Sequence, residues 1–371
     1  MILHWLECAA FHIETWFKIH LIAAEYFFKE CAQRFKSVYS LPAPKTYCSV
    51  DKKTAVVTGG TQGLGLETVR ALLALNARVI VGKFRTFTYM NSCVCTYILH
   101  ECKIFSGSSS PVRSLNTKKC LEEDIPGCEV EILPLDLRSM SSVDNFAQEI
   151  LRRNVVVDIL ICGAGVMFNP YQETEDGFES HLSINYLGHC LLTALLLPRL
   201  ISAGTPKRMA RIVNVSSCVH KVARINFDDV HSRKLYSSYF AYAQSKLAQV
   251  MFTQSLARYC RVEHIPVTAN CLHPGIVDTN LYKRVFWAPL VSGIFFKTPE
   301  EGAQTSLYAA LSSDMEGVSG AYLEECTVSE PAPLSKDRAL QDRLWKETWA
   351  CLQPWLPSAA SPLATQPFLR A

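Results

Sequence analysis

The sequence predicts an α/β protein: a doubly wound parallel sheet with helices on both faces, in a single domain, preceded by an amphipathic helix. Three observations carry this. Short, almost continuously apolar runs ("KKTAVVTGG", "CEVEILPLDL", "VDILICGAGV", "ARIVNVSS", "PVTANCLHPG") alternate with helix-length stretches, the pattern of strands buried on both faces. A glycine-rich turn joins the first strand to the first helix behind it. Polar residues gather where these strands end, and in such sheets ligands bind at the carboxyl ends.

At 371 residues the chain is long enough for one large core. Lys+Arg 37 against Asp+Glu 34 is too balanced for a nucleic-acid footprint, and no basic block stands out, so nucleic acid is excluded as a partner. The 15 cysteines have no framework spacing and read as reduced, mostly buried thiols of a cytosol-facing protein. The sequon at Asn214–Ser216 ends a buried strand and is discounted as a glycan site.

Residues 1–45 form an N-terminal segment. Leu6, Ala10, Ile13, Phe17, Leu21, Ala24, Phe28 and Phe35 recur at helical steps on one face, while Glu7, Glu14, Lys18 and Glu25 fall on another. The charges interrupt any bilayer-spanning run in residues 1–40. With Trp5, Trp16, Tyr26 and Phe27 added, the helix suits a membrane interface; the alternative is a stripe that packs on the body of the protein. "SLPAPK" at 40–45 is a Pro-rich linker.

Residues 46–330 form the main domain. In "TGGTQGLG" Gly59 permits the tight turn, Gly63 lets backbone approach a pyrophosphate, and Gly65 lets the helix pack on the strand. The helix start then offers free N–H groups to phosphate. Asp136 and Leu137 end a later strand. Farther on, Tyr242 and Lys246 are four apart in a helix and share a face. An ammonium beside a phenol is expected to lower the phenol's pKa, as a general acid/base for alcohol–carbonyl interconversion requires. Ser217, at the end of "NVSS", can hydrogen-bond a substrate oxygen, with Ser216 the adjacent candidate. Asn185 is a polar residue within an apolar helical stretch.

"TGGTQGLG", "DL", "GAGVM", "NYLGH", "NVSS", "YAQSK" and "HPGIVDT", in this order over residues 52–325, resemble the short-chain dehydrogenase/reductase family, in its retinol-dehydrogenase-like branch. The resemblance implies a Rossmann-type fold and an NAD(P)(H)-dependent enzyme with an Asn185–Ser217–Tyr242–Lys246 tetrad. Tyr242 would exchange the proton, Ser217 orient the carbonyl, Lys246 hold the ribose and Asn185 hold a water in a proton relay. Cofactor contacts are implied at Gly59, Thr61, Gly63, Leu64, Gly65, Asp136, Leu137, Ala164, Gly165, Pro274, Gly275, Val277 and Thr279, besides Tyr242 and Lys246. One departure stands out. Where the family carries Asn-Asn-Ala-Gly this chain reads "CGAG", so Cys162 replaces an Asn that steadies the sheet, and a modest loss of stability or cofactor affinity is expected.

Phe286, Trp287, Leu290, Val291, Ile294, Phe295 and Phe296 make an oily segment where the family places its substrate lid, which favours an apolar substrate. The branch implies retinoid, steroid or polyprenol/dolichol-type alcohols and their carbonyls. Membrane association at the endoplasmic reticulum, with the site facing the cytosol, follows from that reading; the alternative is cytoplasmic. A homodimer is compatible with it. No acid follows "VIVG", whereas Lys83, Arg85 and Arg113 do, which favours NADP(H) over NAD(H). The competing function is a nucleotide-binding pseudoenzyme that acts through protein partners.

Residues 83–107 exceed what a strand, turn and helix require and read as an insertion. Cys93, Cys95, His100 and Cys102 lack the paired spacing of zinc sites, so no metal is expected. Residues 331–371 read as an amphipathic helix to about Leu352, then a disordered Pro/Ser/Ala tail.

Overall fold

Side chains of each central strand point alternately to its two faces and are buried on both, in two separate cores, and this builds the molecule in three layers. The computed structural model describes residues 2–36, 50, 52–83, 111–285, 288, 292 and 296–356. After the N-terminal helix α1 (Ile2–Lys36) come β1 (Thr54–Thr58), α2 (Gly63–Ala74), β2 (Arg78–Lys83), α3 (Pro111–Asp124), β3 (Val130–Pro134), α4 (Met140–Arg152) and β4 (Ile159–Cys162). The second half adds α5 (Ser180–Ala203), β5 (Ala210–Val215), α6 (Ser238–Val262), β6 (Val267–His273), α7 (Pro299–Leu311), β7 (Tyr322–Glu324), β8 (Thr327–Ser329) and α8 (Arg338–Leu352). The strand order is β3-β2-β1-β4-β5-β6-β7-β8, parallel throughout except for the β7–β8 hairpin. The doubly wound parallel sheet is therefore present, with its reversal of order between β1 and β4.

On one face Val56, Leu160, Ile212 and Ala269 join side chains of α4, α5, α6 and α8. On the other, Ala55, Val57, Ile161 and Val213 meet α2 and α7. Among the described residues α5 is the one helix long and apolar enough to cross a bilayer, yet 72% of its apolar window is buried, as befits a central core helix. Its polar residues are inward-facing: Asn185 and His189 are buried. At the C-terminal end α8 is capped by Asp337, which accepts from Leu340 N, and it inserts Trp345 and Trp349 against Phe252.

Two readings need correction. Lys83 belongs to β2, where it pairs with Pro134, so the insertion cannot begin there; the rest of 83–107, with Arg85, Cys93, Cys95, His100 and Cys102, lies outside the described residues. The helix expected after it is present as α3. The second correction concerns only the alternative reading of α1, that the stripe found by spacing packs on the body. The stripe picked out by spacing points outward, with Ile13 67%, Phe17 59%, Leu21 59% and Phe28 67% exposed. A different stripe packs on the body: Ile19, Ile22, Tyr26 and Glu30, at steps of three and four, are buried. Both faces are apolar, and Thr15 and Glu30 disguise the one that docks. Leu6 and Phe35 carry no described side chains, and the linker at 40–45 and the tail from 357 lie outside the described residues.

Candidate active site

Three strand ends converge on one edge of the sheet. At the first, β1 runs into the turn before α2. Gly59 has φ +74°, and a Cβ there would lie 2.8 Å from Ala164 Cα. A Cβ on Gly65 would lie 2.3 Å from the Gly59 carbonyl oxygen, so only glycine lets α2 start this close to the strand. Gly63, at φ +53°, opens α2 and abuts Thr279 from the β6 loop. Gln62 gives α2 no side-chain cap, which leaves its first N–H groups for a ligand. Thr61 and Leu64 flank this cradle, which fits a pyrophosphate.

At the second, β4 ends in Cys162 and the loop Gly163–Val166. Thr58 Oγ1 accepts from Gly163 N at 3.0 Å and Ala164 N at 3.1 Å, tying this loop to β1. His189 Nε2 shares the same hydroxyl at 2.9 Å. Cys162 is wholly buried among apolar side chains, its thiol pushed up to about 12 by burial with the Thr193 hydroxyl pulling the other way. Thr58 thus holds the loop that Cys162 cannot. Replacing Thr58 by Val should orphan two amides and cost about 1–3 kcal/mol in all, since the loop can relax toward solvent. Urea unfolding would show it as a lowered midpoint with an unchanged slope; an unmoved midpoint would mean the loop is anchored elsewhere.

At the third, β5 ends in Ser216 and Ser217. The structure separates the two candidates. Ser216 Oγ donates to the Lys246 carbonyl at 2.9 Å and serves to tie β5 to α6. Ser217 Oγ instead accepts from Val219 N at 3.5 Å and acts on Tyr242, whose pKa it pulls down against burial. Tyr242 itself is 3% exposed, its ring edge-on to Phe168 at 5.3 Å. Lys246 Nζ lies 5.8 Å from the Tyr242 ring centroid and donates to Val215 O at 2.9 Å and Gln249 Oε1 at 3.0 Å.

The expected electrostatics are reversed. Burial raises the Tyr242 pKa, with the Ser217 hydroxyl opposing it, and no lowering comes from Lys246. Burial also pushes the Lys246 ammonium down to about 7. Its protons are spent on a carbonyl and an amide rather than on the phenol.

Asn185 sits in a wider turn, Ser183–Leu187, within α5. Its Nδ2 donates to Val166 O at 3.0 Å and to Ser245 Oγ at 2.9 Å, and its Oδ1 accepts from Val166 N at 2.9 Å. The side chain is therefore committed to protein partners and positions the β4 loop, while its main-chain carbonyl lies 3.2 Å from His189 Nδ1. A Cβ on Gly165 would stand 3.2 Å from Asn185 Oδ1 and 3.6 Å from Lys246 Nζ, so these three residues do converge.

The remaining contacts are more dispersed. The Asp136 carboxylate accepts from Arg138 N at 2.9 Å and from its guanidinium at 3.0 and 3.2 Å. Leu137 is buried against Gly188, and its carbonyl accepts from Ser183. Past β6, Pro274–Thr279 loops back toward the glycine turn; Gly275 has φ +92°, and Val277 is buried against Gly302. Of the oily segment, Phe296 is buried beside Tyr282, while Phe286, Trp287, Leu290, Val291, Ile294 and Phe295 lie outside the described residues.

Sequence reasoning missed the contribution of α1. Ile19, Ile22 and Tyr26 share an apolar cluster with Tyr242, Met167, Ile276, Val285 and Phe296, so α1 roofs Tyr242. The available signal was Glu30, an acid at the fourth position after Tyr26 on an otherwise apolar face.

A glycine cradle, a loop tied by Thr58 and a Ser–Tyr–Lys group on one sheet edge define an oxidoreductase of the dinucleotide-binding class. The chain belongs to the short-chain dehydrogenase family, whose profile matches residues 92–288, just over half of it. It is 40% identical over 301 residues to polyprenol dehydrogenase of Homo sapiens, covering 80% of this chain and 84% of that one. To retinol dehydrogenase 14 of Mus musculus it is 41% identical over 304 residues, covering 79% and 84%. A solved structure of an uncharacterized protein from Mycobacterium paratuberculosis superposes with a TM-score of 0.62 at 29% identity, over 85% of this chain and 98% of that one.

Proposed function

We propose that the protein interconverts a lipophilic alcohol, of the polyprenol or retinoid kind, and its carbonyl by hydride transfer with a nicotinamide nucleotide. The observation that carries this is the buried Tyr242 with Lys246 Nζ 5.8 Å from its ring centroid, at the edge where β5 ends in Ser217 and the glycine cradle also opens. The names of the two relatives and the apolar surroundings of Tyr242 support the substrate class. The nucleotide, when bound, supplies or accepts the hydride. Tyr242 takes the hydroxyl proton as the carbinol carbon loses hydride, and returns it in reduction. Ser217 hydrogen-bonds the substrate oxygen. Asn185 keeps the β4 loop in place, and Lys246 holds the ribose.

NADP(H) is the favoured nucleotide. Lys83 ends β2, where a ribose 2′-phosphate would lie, and the Asp136 carboxylate is already held by Arg138. The outward stripe Ile13, Phe17, Leu21 and Phe28 supports residence at a membrane surface, from which such a substrate would be drawn. A spectrophotometric screen of isoprenoid, retinoid and water-soluble alcohols and aldehydes with each nucleotide tests the reading. Turnover is expected on the lipophilic members with NADP(H). Turnover confined to a polyol would sink the substrate class, and nucleotide binding without turnover would favour the pseudoenzyme.

A further inference from the structure

The loop Pro274–Thr279 is fixed from two sides. Inside the domain, Lys297 N donates to Ile276 O at 2.8 Å and Asp278 N donates to Lys297 O at 2.9 Å. Outside it, the Ile276 N–H points at α1, where both carboxylate oxygens of Glu30 lie 3.1 Å away. Glu30 is 7% exposed, and its position lies beyond the span of the family profile. His273, the last residue of β6, is buried just ahead of the loop, with neither ring nitrogen hydrogen-bonded among the described residues. α1 grips it between the Tyr26 ring, edge-on at 5.3 Å, and Glu30, 3.9 Å from its Nε2. A buried carboxylate is costly, and a helix needing only to dock would be served better by an apolar residue here. What Glu30 does that no apolar residue could is satisfy the one buried amide between Gly275 and Val277.

We propose that Glu30 is a positioning residue of the reaction centre: by accepting the Ile276 N–H it sets the loop that holds the nicotinamide end of the cofactor, and so makes α1 part of the nucleotide site. This rests on the function proposed above. Ile276 also packs in the cluster that contains Tyr242, so a loop displaced here moves both the cofactor seat and the wall beside the phenol.

The test uses the full chain with Glu30→Ala and Glu30→Gln, reading hydrogen exchange across Pro274–Thr279, KM for NADP(H), kcat at saturating nucleotide and the thermal midpoint. In Glu30→Ala, exchange at Ile276 and KM for NADP(H) should each rise by about tenfold and kcat should fall by a smaller factor, as loss of one buried hydrogen bond predicts. Glu30→Gln should restore both, because its carboxamide oxygen still accepts. Should Glu30→Ala fail to fold, Glu30→Asp, one methylene too short to reach, is read in its place. Faster exchange with unchanged KM overturns the positioning role and leaves the function standing. Equal losses of kcat and thermal midpoint in the Ala and Gln variants overturn it as well, as they would show a structural role only. A wild type that quenches no nicotinamide fluorescence overturns the function and this role together.

Discussion

Tyr242→Phe should lower kcat by about 10²–10⁴-fold while leaving nucleotide affinity within about twofold. The variant keeps the ring, and with it the edge-on contact to Phe168 and the packing with Met167 and Ala243. Only the hydroxyl is lost. Burial holds that phenol protonated through neutral pH, so it is ready to donate to a carbonyl oxygen. Stopped assays with saturating NADP(H) and a lipophilic aldehyde would measure the loss, and fluorescence quenching the retained binding. A variant that turns over at a tenth of the wild-type rate would show that another group, with Ser217 the nearest, moves the proton.

The parts of this site legible in the sequence are those fixed by short-range spacing. Gly59, Gly63 and Gly65 act within one turn, and Tyr242 and Lys246 lie one helical step apart, so each pattern carries its own geometry. What the sequence hides depends on contacts across hundreds of residues. The phenol's pKa is set by burial under α1, while local reasoning sees only the lysine four residues on. The docking stripe of α1 competes with a cleaner apolar stripe on its other side, and only the body of the protein decides between them. Cys162 looked like a weakness because its own hydrogen-bonding power is poor, yet the amides after it are taken by Thr58, more than a hundred residues earlier. Fold class was legible because burial on both faces of every central strand imposes continuous apolar runs, whatever the tertiary detail.

Glu324→Ala should release α1 and cost about 3 kcal/mol, the low end for removing one partner of a buried charge pair, because Lys221 keeps 26% of its side chain in solvent. Glu324 gathers three elements. It accepts from Tyr322 at 2.9 Å within β7, from Lys221 at 3.1 Å in the turn after β5, and from the Tyr26 hydroxyl of α1. Lys29 reaches its other oxygen at 3.5 Å. Burial acts to raise its pKa, but the hydrogen bonds from Tyr26, Tyr322 and Lys221 outweigh that and hold it at about 2, against an ordinary 4.5. The folded state therefore binds the proton more weakly than the unfolded chain does. The stability this confers is complete above pH 4.5 and is lost as pH falls through about 2. Urea titrations of wild type and variant should then differ most at neutral pH, with the gap shrinking steadily below pH 4.5. A gap that stays constant down to about pH 3 would place the stabilisation in packing rather than in the carboxylate. The same release should uncover Tyr242, since Tyr26 is both a ligand of Glu324 and part of the roof over the phenol. Trypsin cleavage within α1 and KM for NADP(H) should therefore rise together in the variant, because the release that frees Tyr26 also draws Glu30 away from the Ile276 N–H.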